Sequence, residues 1–159
     1  MLEGTGGKLV PSHANEMLSV RLECKTCHRA KQVSATGTVL WKGSAEACAM
    51  CHEASKVAKL MLYHQQMRAA LPEMDAALQR VRKALASSKL GTDRVSVMQT
   101  ALGAVEHDFD FLRAANDIHN IHYASKLNQA LWERIAALCR ELKIPEPKAT
   151  PPSMLGTGK

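Results

Sequence analysis

Two short cysteine–histidine motifs in the first third of the chain constrain its fold more than any other feature. They read Cys24-Lys25-Thr26-Cys27-His28 and Cys48-Ala49-Met50-Cys51-His52. Each places two thiols three positions apart and a histidine directly after them, a C-x-x-C-H pattern typical of covalent c-type haem attachment. The two thiols can form thioethers with one porphyrin, and the adjacent imidazole can then bind its iron. The motifs therefore predict two haem c groups, with His28 and His52 as the proximal iron ligands.

Zinc binding is the main alternative for the same cysteines. Cys24, Cys27, Cys48 and Cys51 also fit the spacing of a Cys₄ zinc module, at the upper limit of its central gap. That interpretation gives no role to the histidine that follows each pair. A thioredoxin-like dithiol is a third interpretation, but it would require a βαβ pattern that the sequence lacks. The spacing favours haem, and the zinc module stays open as an alternative.

The bulk composition bounds the class of protein. The chain has 159 residues, which suits one domain, and only six of them are Phe, Trp or Tyr. So few rings predict a thin apolar core, to which buried porphyrins would add apolar area. The formal charge is +6, which favours acidic partners. The basic residues are dispersed and form no recognised nucleic-acid motif, so nucleic-acid binding is not expected.

Localisation is inferred from the attachment chemistry. No apolar run is long enough to span a membrane, and residues 1–7 do not resemble a secretory signal. Because haem c is attached outside the cytoplasmic membrane, we expect a periplasmic or extracellular protein whose signal was removed or belongs to a longer precursor.

Apolar periodicity predicts a mainly α fold, in which a loop-rich dihaem N-terminal region packs on a small helical bundle. Residues 1 to about 45 show little periodicity. Ser44 is a plausible N-cap for a helix that carries the second motif to about Leu71, and Pro72 would begin the next helix. That helix runs to about Lys89, and Thr92 or Asp93 would cap the third. Three apolar stripes follow: Met74, Leu78, Val81 and Leu85; Met98, Leu102, Val105, Phe109 and Leu112; and Leu127, Leu131, Ile135, Leu138 and Leu142.

Composition also divides the chain into three segments. Residues 1–11 are glycine-rich and linker-like or tag-like, residues 12–144 form the dihaem cytochrome c domain with its helical bundle, and residues 145–159 form a flexible tail rich in proline and glycine. We expect an irregular turn near Asn116 and Asp117, and we expect Cys139 to be a buried, inert thiol.

The stretch Asp117-Ile118-His119-Asn120-Ile121-His122-Tyr123-Ala124 resembles the G-V-H-N-x-x-Y-A helix of multihaem c-type cytochromes. In that family the helix follows C-x-x-C-H motifs and donates a distal histidine, and a related helix occurs in pentahaem nitrite reductases and octahaem hydroxylamine oxidoreductases. The resemblance implies that His119 is a distal ligand. Asp117 stands where the family has glycine, so the local turn is expected to differ.

A second resemblance concerns the segment before the first motif. Ser12-His13 is similar to the S-H-x-x-H segment that precedes a first C-x-x-C-H in this family, with Glu16 in place of the second histidine. The resemblance implies that His13 is the other distal ligand. His64 is the alternative, because it shares one helical face with Leu60, Met67 and Leu71. A histidine on such a face can also be an ordinary core residue. His107 lies off the apolar stripe of its helix and is expected at the surface or in the layer around the iron ligands.

These residues together predict an electron carrier rather than an enzyme. Two imidazole ligands on each iron would give low-spin, six-coordinate haems with no open position for substrate. We expect redox proteins as partners, including further haem modules or subunits. The alternative within haem chemistry is a module or subunit of a multihaem oxidoreductase, or a haem-based sensor, with an open iron site.

Overall fold

The computed structural model of the chain describes residues 1–20, 22–115 and 117–148, without the side chains of residues 117 and 118. Its elements in chain order are α1 (Glu16–Ser19), α2 (Cys24–Cys27), β1 (His28–Val33), β2 (Val39–Gly43), α3 (Ala45–Ala49), α4 (Ala54–Ala86), α5 (Thr92–Ala114), a 3₁₀ helix (Asp117–Asn120) and α6 (Ile121–Glu141). The predicted mainly α class is confirmed. Of the helices described, none combines the length and apolar character needed to cross a bilayer.

The described chain divides into two compact units. The larger comprises residues 1–15 and those from 63 onward, and the smaller comprises residues 16–62. The smaller unit therefore contains both cysteine–histidine motifs. The larger contains α5, α6 and most of α4.

The core of the larger unit is made by the predicted apolar stripes. Every residue of the stripe on α5 is buried, and so are the four of α4 and the first four of α6. Leu142, predicted as the last member of the α6 stripe, lies just after the helix and is half-buried. Helical spacing alone thus identified the residues that hold this unit together.

Helix α4 differs from its prediction at both ends. The helix predicted to start at Ser44 and end at Leu71 is in fact two, because α3 ends at Ala49 and α4 runs on from Ala54 to Ala86. Pro72 lies inside α4 instead of starting a new helix. Proline lacks one backbone donor, but Met67 and Met74 on either side are both buried, so packing offsets that loss. The next helix is capped by Gly91, not by Thr92 or Asp93.

The region predicted to be loop-rich contains a β-hairpin. Strands β1 and β2 pair antiparallel in a two-stranded sheet, with Val33 opposite Val39 and Lys31 opposite Trp41. Gly37 in the connecting turn has a φ of 81°, a conformation that favours glycine. The hairpin was missed because basic residues interrupt the alternation of β1, whose burial pattern is exposed almost throughout.

The N-terminal segment has defined partners within the larger unit. The backbone amide of Lys8 donates to both carboxylate oxygens of Asp108, at 2.7 and 2.9 Å, and that of Leu9 donates to Oδ2 at 2.8 Å. The amide of Gly7 donates to the hydroxyl of Tyr123 at 2.8 Å. Residues 1–11 have a linker-like composition, yet these bonds give the segment a fixed place. Of the predicted tail at 145–159, residues 149–159 lie outside the described residues.

Gly4 shows how closely this segment is packed. Its φ is +71°, and a Cβ placed there would lie 1.7 Å from the backbone oxygen of His13. The same segment is closed by a hydrogen bond from the amide of His13 to the carbonyl of Gly4. Only glycine fits this position, for reasons of both space and backbone conformation.

We predict that Asp108→Ala lowers the free energy of unfolding by about 3 kcal/mol, because the substitution leaves the amides of Lys8 and Leu9 without their acceptor. Urea unfolding followed by circular dichroism measures this. Asp110→Ala is the matched control on the same helix, since Asp110 is exposed and its ion pair is with exposed Arg113. Its effect should stay below about 0.5 kcal/mol. Equal effects of the two substitutions would contradict the role given to Asp108.

Candidate functional site

The first cysteine–histidine motif forms a single helical turn that leads directly into a strand. Cys24 and Cys27 begin and end α2, and the amide of His28 donates to the carbonyl of Cys24. Residues three apart on a helix lie on the same side, so the turn brings the two thiols together. Cys24 is exposed and Cys27 is partly buried. His28 is the first residue of β1, and the hairpin therefore determines where its ring lies.

The ring of His28 is oriented by the opposite strand. Its Nδ1 lies 2.8 Å from the backbone oxygen of Trp41. A carbonyl oxygen only accepts hydrogen bonds, so Nδ1 carries a proton, and in the neutral form of this tautomer the ring's lone pair is on Nε2. This carbonyl contact is the arrangement that commonly orients a metal-binding histidine and raises its basicity.

Gly43 lies close to the ring of His28. It pairs with His28 across the hairpin, and a Cβ at this position would lie 3.9 Å from Nε2 and 3.8 Å from the carbonyl oxygen of Cys27. Any side chain larger than alanine would extend from that point.

A pocket of about 750 Å³ adjoins the first motif and is lined mainly by apolar surface of Cys24, Lys25, His28, Arg29 and Trp41. This volume falls within the range of small-molecule and cofactor sites. The pocket thus brings together a motif thiol, the motif histidine and an indole. Trp41 and Arg29 were not predicted as site residues. The signal that could have found them is the apolar run Val39-Leu40-Trp41 after the Gly37 turn.

The second motif spans the end of helix α3 and the turn that follows it. Ser44 caps α3 by accepting from the amide of Ala47, as predicted, and Glu46 lies in the first turn. Cys48 lies on this helix, whereas Cys51 and His52 follow it in a turn, where their amides donate to the carbonyl of Cys48. His52 is exposed.

The two motifs are neighbours within the smaller unit. Helices α2 and α3 are in contact, and Nη1 of Arg29 lies 3.0 Å from the sulfur of Met50. Burial raises the pKa of the Cys48 thiol, and the nearby thiol of Cys27 raises it further. Two haems attached here would therefore lie close together.

The four motif cysteines do not form a metal centre in this arrangement. Among the described residues, which include both motifs in full, no three His, Cys, Asp or Glu side chains are grouped so that they could hold a metal ion.

The hairpin of the smaller unit leaves large apolar side chains exposed. Trp41 is 56% exposed and Val33 59%, and the buried apolar residues in the described part of this unit are Ala47 and Val57. A two-stranded hairpin open on both faces is marginal in water without a covering group. A porphyrin at the first motif would cover part of this surface. The residues of the site therefore fit haem in both donor chemistry and apolar character.

The predicted distal ligands all belong to the larger unit. His119 lies in the 3₁₀ helix and is half-buried, and its backbone oxygen accepts from Asn15 at 2.5 Å. The backbone carbonyl of His13 accepts a hydrogen bond from Nδ2 of Asn120 at 2.8 Å. The ring centroids of His13 and His122 are 6.1 Å apart. His13 and His119 therefore occupy one region of this unit, joined by two asparagines.

His64 and His107 complete the histidines of the larger unit. His64 is half-buried on α4. His107 is exposed, as expected, and its Nδ1 lies 2.8 Å from Oδ1 of the buried Asp108. Cys139 is fully buried, also as expected, and burial raises the pKa of its thiol.

Searches against protein-family models, curated proteins and solved structures found no match to this chain.

We predict that the five thiols of the haem-free protein react with iodoacetamide in a set order. Exposed Cys24 and Cys51 should react first. Cys48 should react more slowly at pH 8, and its rate should rise with pH, because its raised pKa reduces the thiolate fraction. Cys139 should remain unmodified until the protein is unfolded in urea. Mass spectrometry of digests taken over time measures the order, and early labelling of Cys139 would contradict the packing of α6.

Proposed function

We propose that this protein is a dihaem c-type cytochrome that passes electrons between redox proteins. The observation that carries the proposal is the orientation of His28, whose Nδ1 is held by the carbonyl of Trp41. This bond fixes the orientation of the ring that directly follows the Cys24–Cys27 pair, and His28 and Cys24 line one pocket that has the size and apolar lining of a cofactor site.

Each motif would hold one haem through its own side chains. Cys24 and Cys27 would bind the first porphyrin and Cys48 and Cys51 the second, with His28 and His52 as proximal iron ligands. When bound, haem supplies a one-electron couple whose potential depends on its ligands and surroundings. The hydrogen bond from Nδ1 of His28 to the carbonyl of Trp41 raises the basicity of the ring. Nε2 would therefore donate its electron pair to iron more strongly. A stronger imidazole donor favours the oxidised iron.

A relay is proposed in preference to catalysis because of the ligands that the family resemblance implies. The resemblance implies that His119 is one distal ligand and His13 the other. His64 is the alternative to His13. Two imidazoles per iron leave no coordination position for substrate. An enzyme module or a haem-based sensor would need one position open, and the spin state of the iron distinguishes these functions.

Location and partners follow from the attachment chemistry and the charge. Because haem c is attached outside the cytoplasmic membrane, we place the protein in the periplasm or beyond. Its formal charge of +6 would speed encounter with redox partners that present acidic surfaces. Such partners would include further haem modules or subunits of a larger redox complex.

We predict two haems per chain when the protein is produced with a haem c maturation system. The pyridine haemochrome spectrum gives the stoichiometry, and mass spectrometry shows whether attachment is covalent. Replacing Cys24 and Cys27 by alanine should remove one haem, and so should replacing Cys48 and Cys51. Cys139→Ala is the matched control and should keep both, because Cys139 belongs to neither motif. Zinc in place of haem would overturn the proposal in favour of the Cys₄ module.

We also predict that His119→Ala converts one of the two haems from low spin to high spin. Loss of an axial imidazole opens a coordination position, so the variant should bind CO or cyanide where the parent protein does not. His107→Gln is the control, since no ligand role is proposed for His107. Electron paramagnetic resonance of the ferric protein reports the spin state. A fully low-spin His119→Ala variant would exclude His119 as a ligand, and high-spin bands in the parent protein would favour an enzyme or a sensor.

A further inference from the structure

Two residues with cationic side chains line the pocket at the first motif. Lys25 and Arg29 contribute to its wall, and neither takes part in an ion pair among those found in the described parts of the chain. Nη1 of the Arg29 guanidinium donates to the sulfur of Met50, at 3.0 Å. A thioether is a weak acceptor, so Arg29 retains most of its capacity to bind an anion.

The hairpin is built in a way that directs Arg29 differently from its neighbours. His28 pairs with Gly43 and Ala30 pairs with Lys42, so Arg29 is an extra residue opposite no partner. An extra residue of this kind forms a β-bulge, which turns its side chain away from the regular alternation of the strand. The bulge directly follows the proposed iron ligand and places a guanidinium in the wall of the same pocket.

The surroundings of the pocket favour a ligand with negative charge. Strands β1 and β2 contain Arg29, Lys31 and Lys42 and no Asp or Glu. The pocket itself combines a mainly apolar lining with two cationic groups. Its chemistry therefore suits a flat apolar molecule that carries two carboxylates at one edge.

We propose that Lys25 and Arg29 bind the two propionate carboxylates of the haem held by the first motif. This inference rests on the proposed function and adds to it the residues that recognise the porphyrin's charged edge. A guanidinium forms charge-assisted hydrogen bonds with a carboxylate that are stronger than its contact with a thioether. Arg29 would therefore exchange Met50 for a propionate when haem binds.

The test measures reversible haem binding at the first site alone. In the full-length chain, Cys24, Cys27, Cys48 and Cys51 are replaced by alanine and His52 by alanine, which leaves His28 as the motif ligand. Haemin and haemin dimethyl ester, whose propionates are uncharged, are titrated separately and followed by the Soret band. Other histidines can also bind haemin weakly, so the titration should show a tight phase and a weak one. His28→Ala in this background should abolish the tight phase. That control identifies the site that is being measured.

Arg29→Gln and Lys25→Gln are then introduced one at a time. Each should weaken haemin binding about tenfold, the size expected for a charge-assisted bond near the surface. Each should change binding of the dimethyl ester by less than about twofold, because the ester carries no charge for either residue to pair with. Lys31→Gln, a lysine on β1 that does not line the pocket, is the matched control and should leave both affinities unchanged.

The outcomes separate this inference from the proposed function. If neither haemin nor its ester binds through His28, the proposed haem site itself is wrong. If both bind but Arg29→Gln and Lys25→Gln bind haemin as tightly as the background protein, the propionate assignment alone is overturned. An equal loss in Lys31→Gln would also overturn it, because the effect would then be one of general surface charge.

Discussion

The hydrogen bond between His28 Nδ1 and the carbonyl of Trp41 is the interaction on which the proposed site depends. It joins the cysteine–histidine motif to the second strand of the hairpin. Without it the imidazole could rotate or adopt the other tautomer, and the ring would lose the orientation on which the proposed iron ligation relies. The pairing of β1 with β2 holds the carbonyl in place, so a minor element of secondary structure determines the chemistry of the motif. The site is a property of the hairpin as much as of the motif.

The two units are stabilised in different ways. The larger unit has three long helical segments around a core of Met, Leu, Val and Ile, with fully buried residues such as Met74, Leu112 and Leu131. The smaller unit buries little beyond Ala47 and Val57 and leaves its hairpin exposed. Burial of apolar area is the main favourable term in folding. The larger unit therefore supplies this term from its own side chains, whereas the smaller unit would gain it from two porphyrins.

Much of the larger unit could be predicted from the sequence, because a helical stripe reports directly which residues are buried. The stripes of α4, α5 and α6 and the cap at Ser44 were predicted correctly. The error at Pro72 arose because proline is common in the first turn of helices, and a local preference cannot register the buried methionines on either side. The motif residues were found from spacing. Their partners Trp41 and Arg29 depend on strand pairing and on a bulge, which spacing does not encode.

Asn120 and Tyr123, which follow His119 in the segment that resembles the cytochrome family, have structural roles within the larger unit. Asn120 accepts from the amide of Tyr123 and so caps α6, and the hydroxyl of Tyr123 accepts from the amide of Gly7. Two of the matching positions thus have structural roles that require no haem. His119 is the member of the pattern to which the proposal assigns iron ligation.

The hydrogen bonds of Asp108 also determine when the larger unit can form during synthesis. The carboxylate binds the amide of Lys8, a residue 100 positions earlier in the chain. A ribosome produces the N-terminal segment first, yet its acceptor emerges only after the whole of residues 16–62 has been made. Contacts so distant in sequence form slowly and late. Residues 16–62, with both cysteine–histidine motifs, are thus synthesised in full before the segment that precedes them has a place to bind.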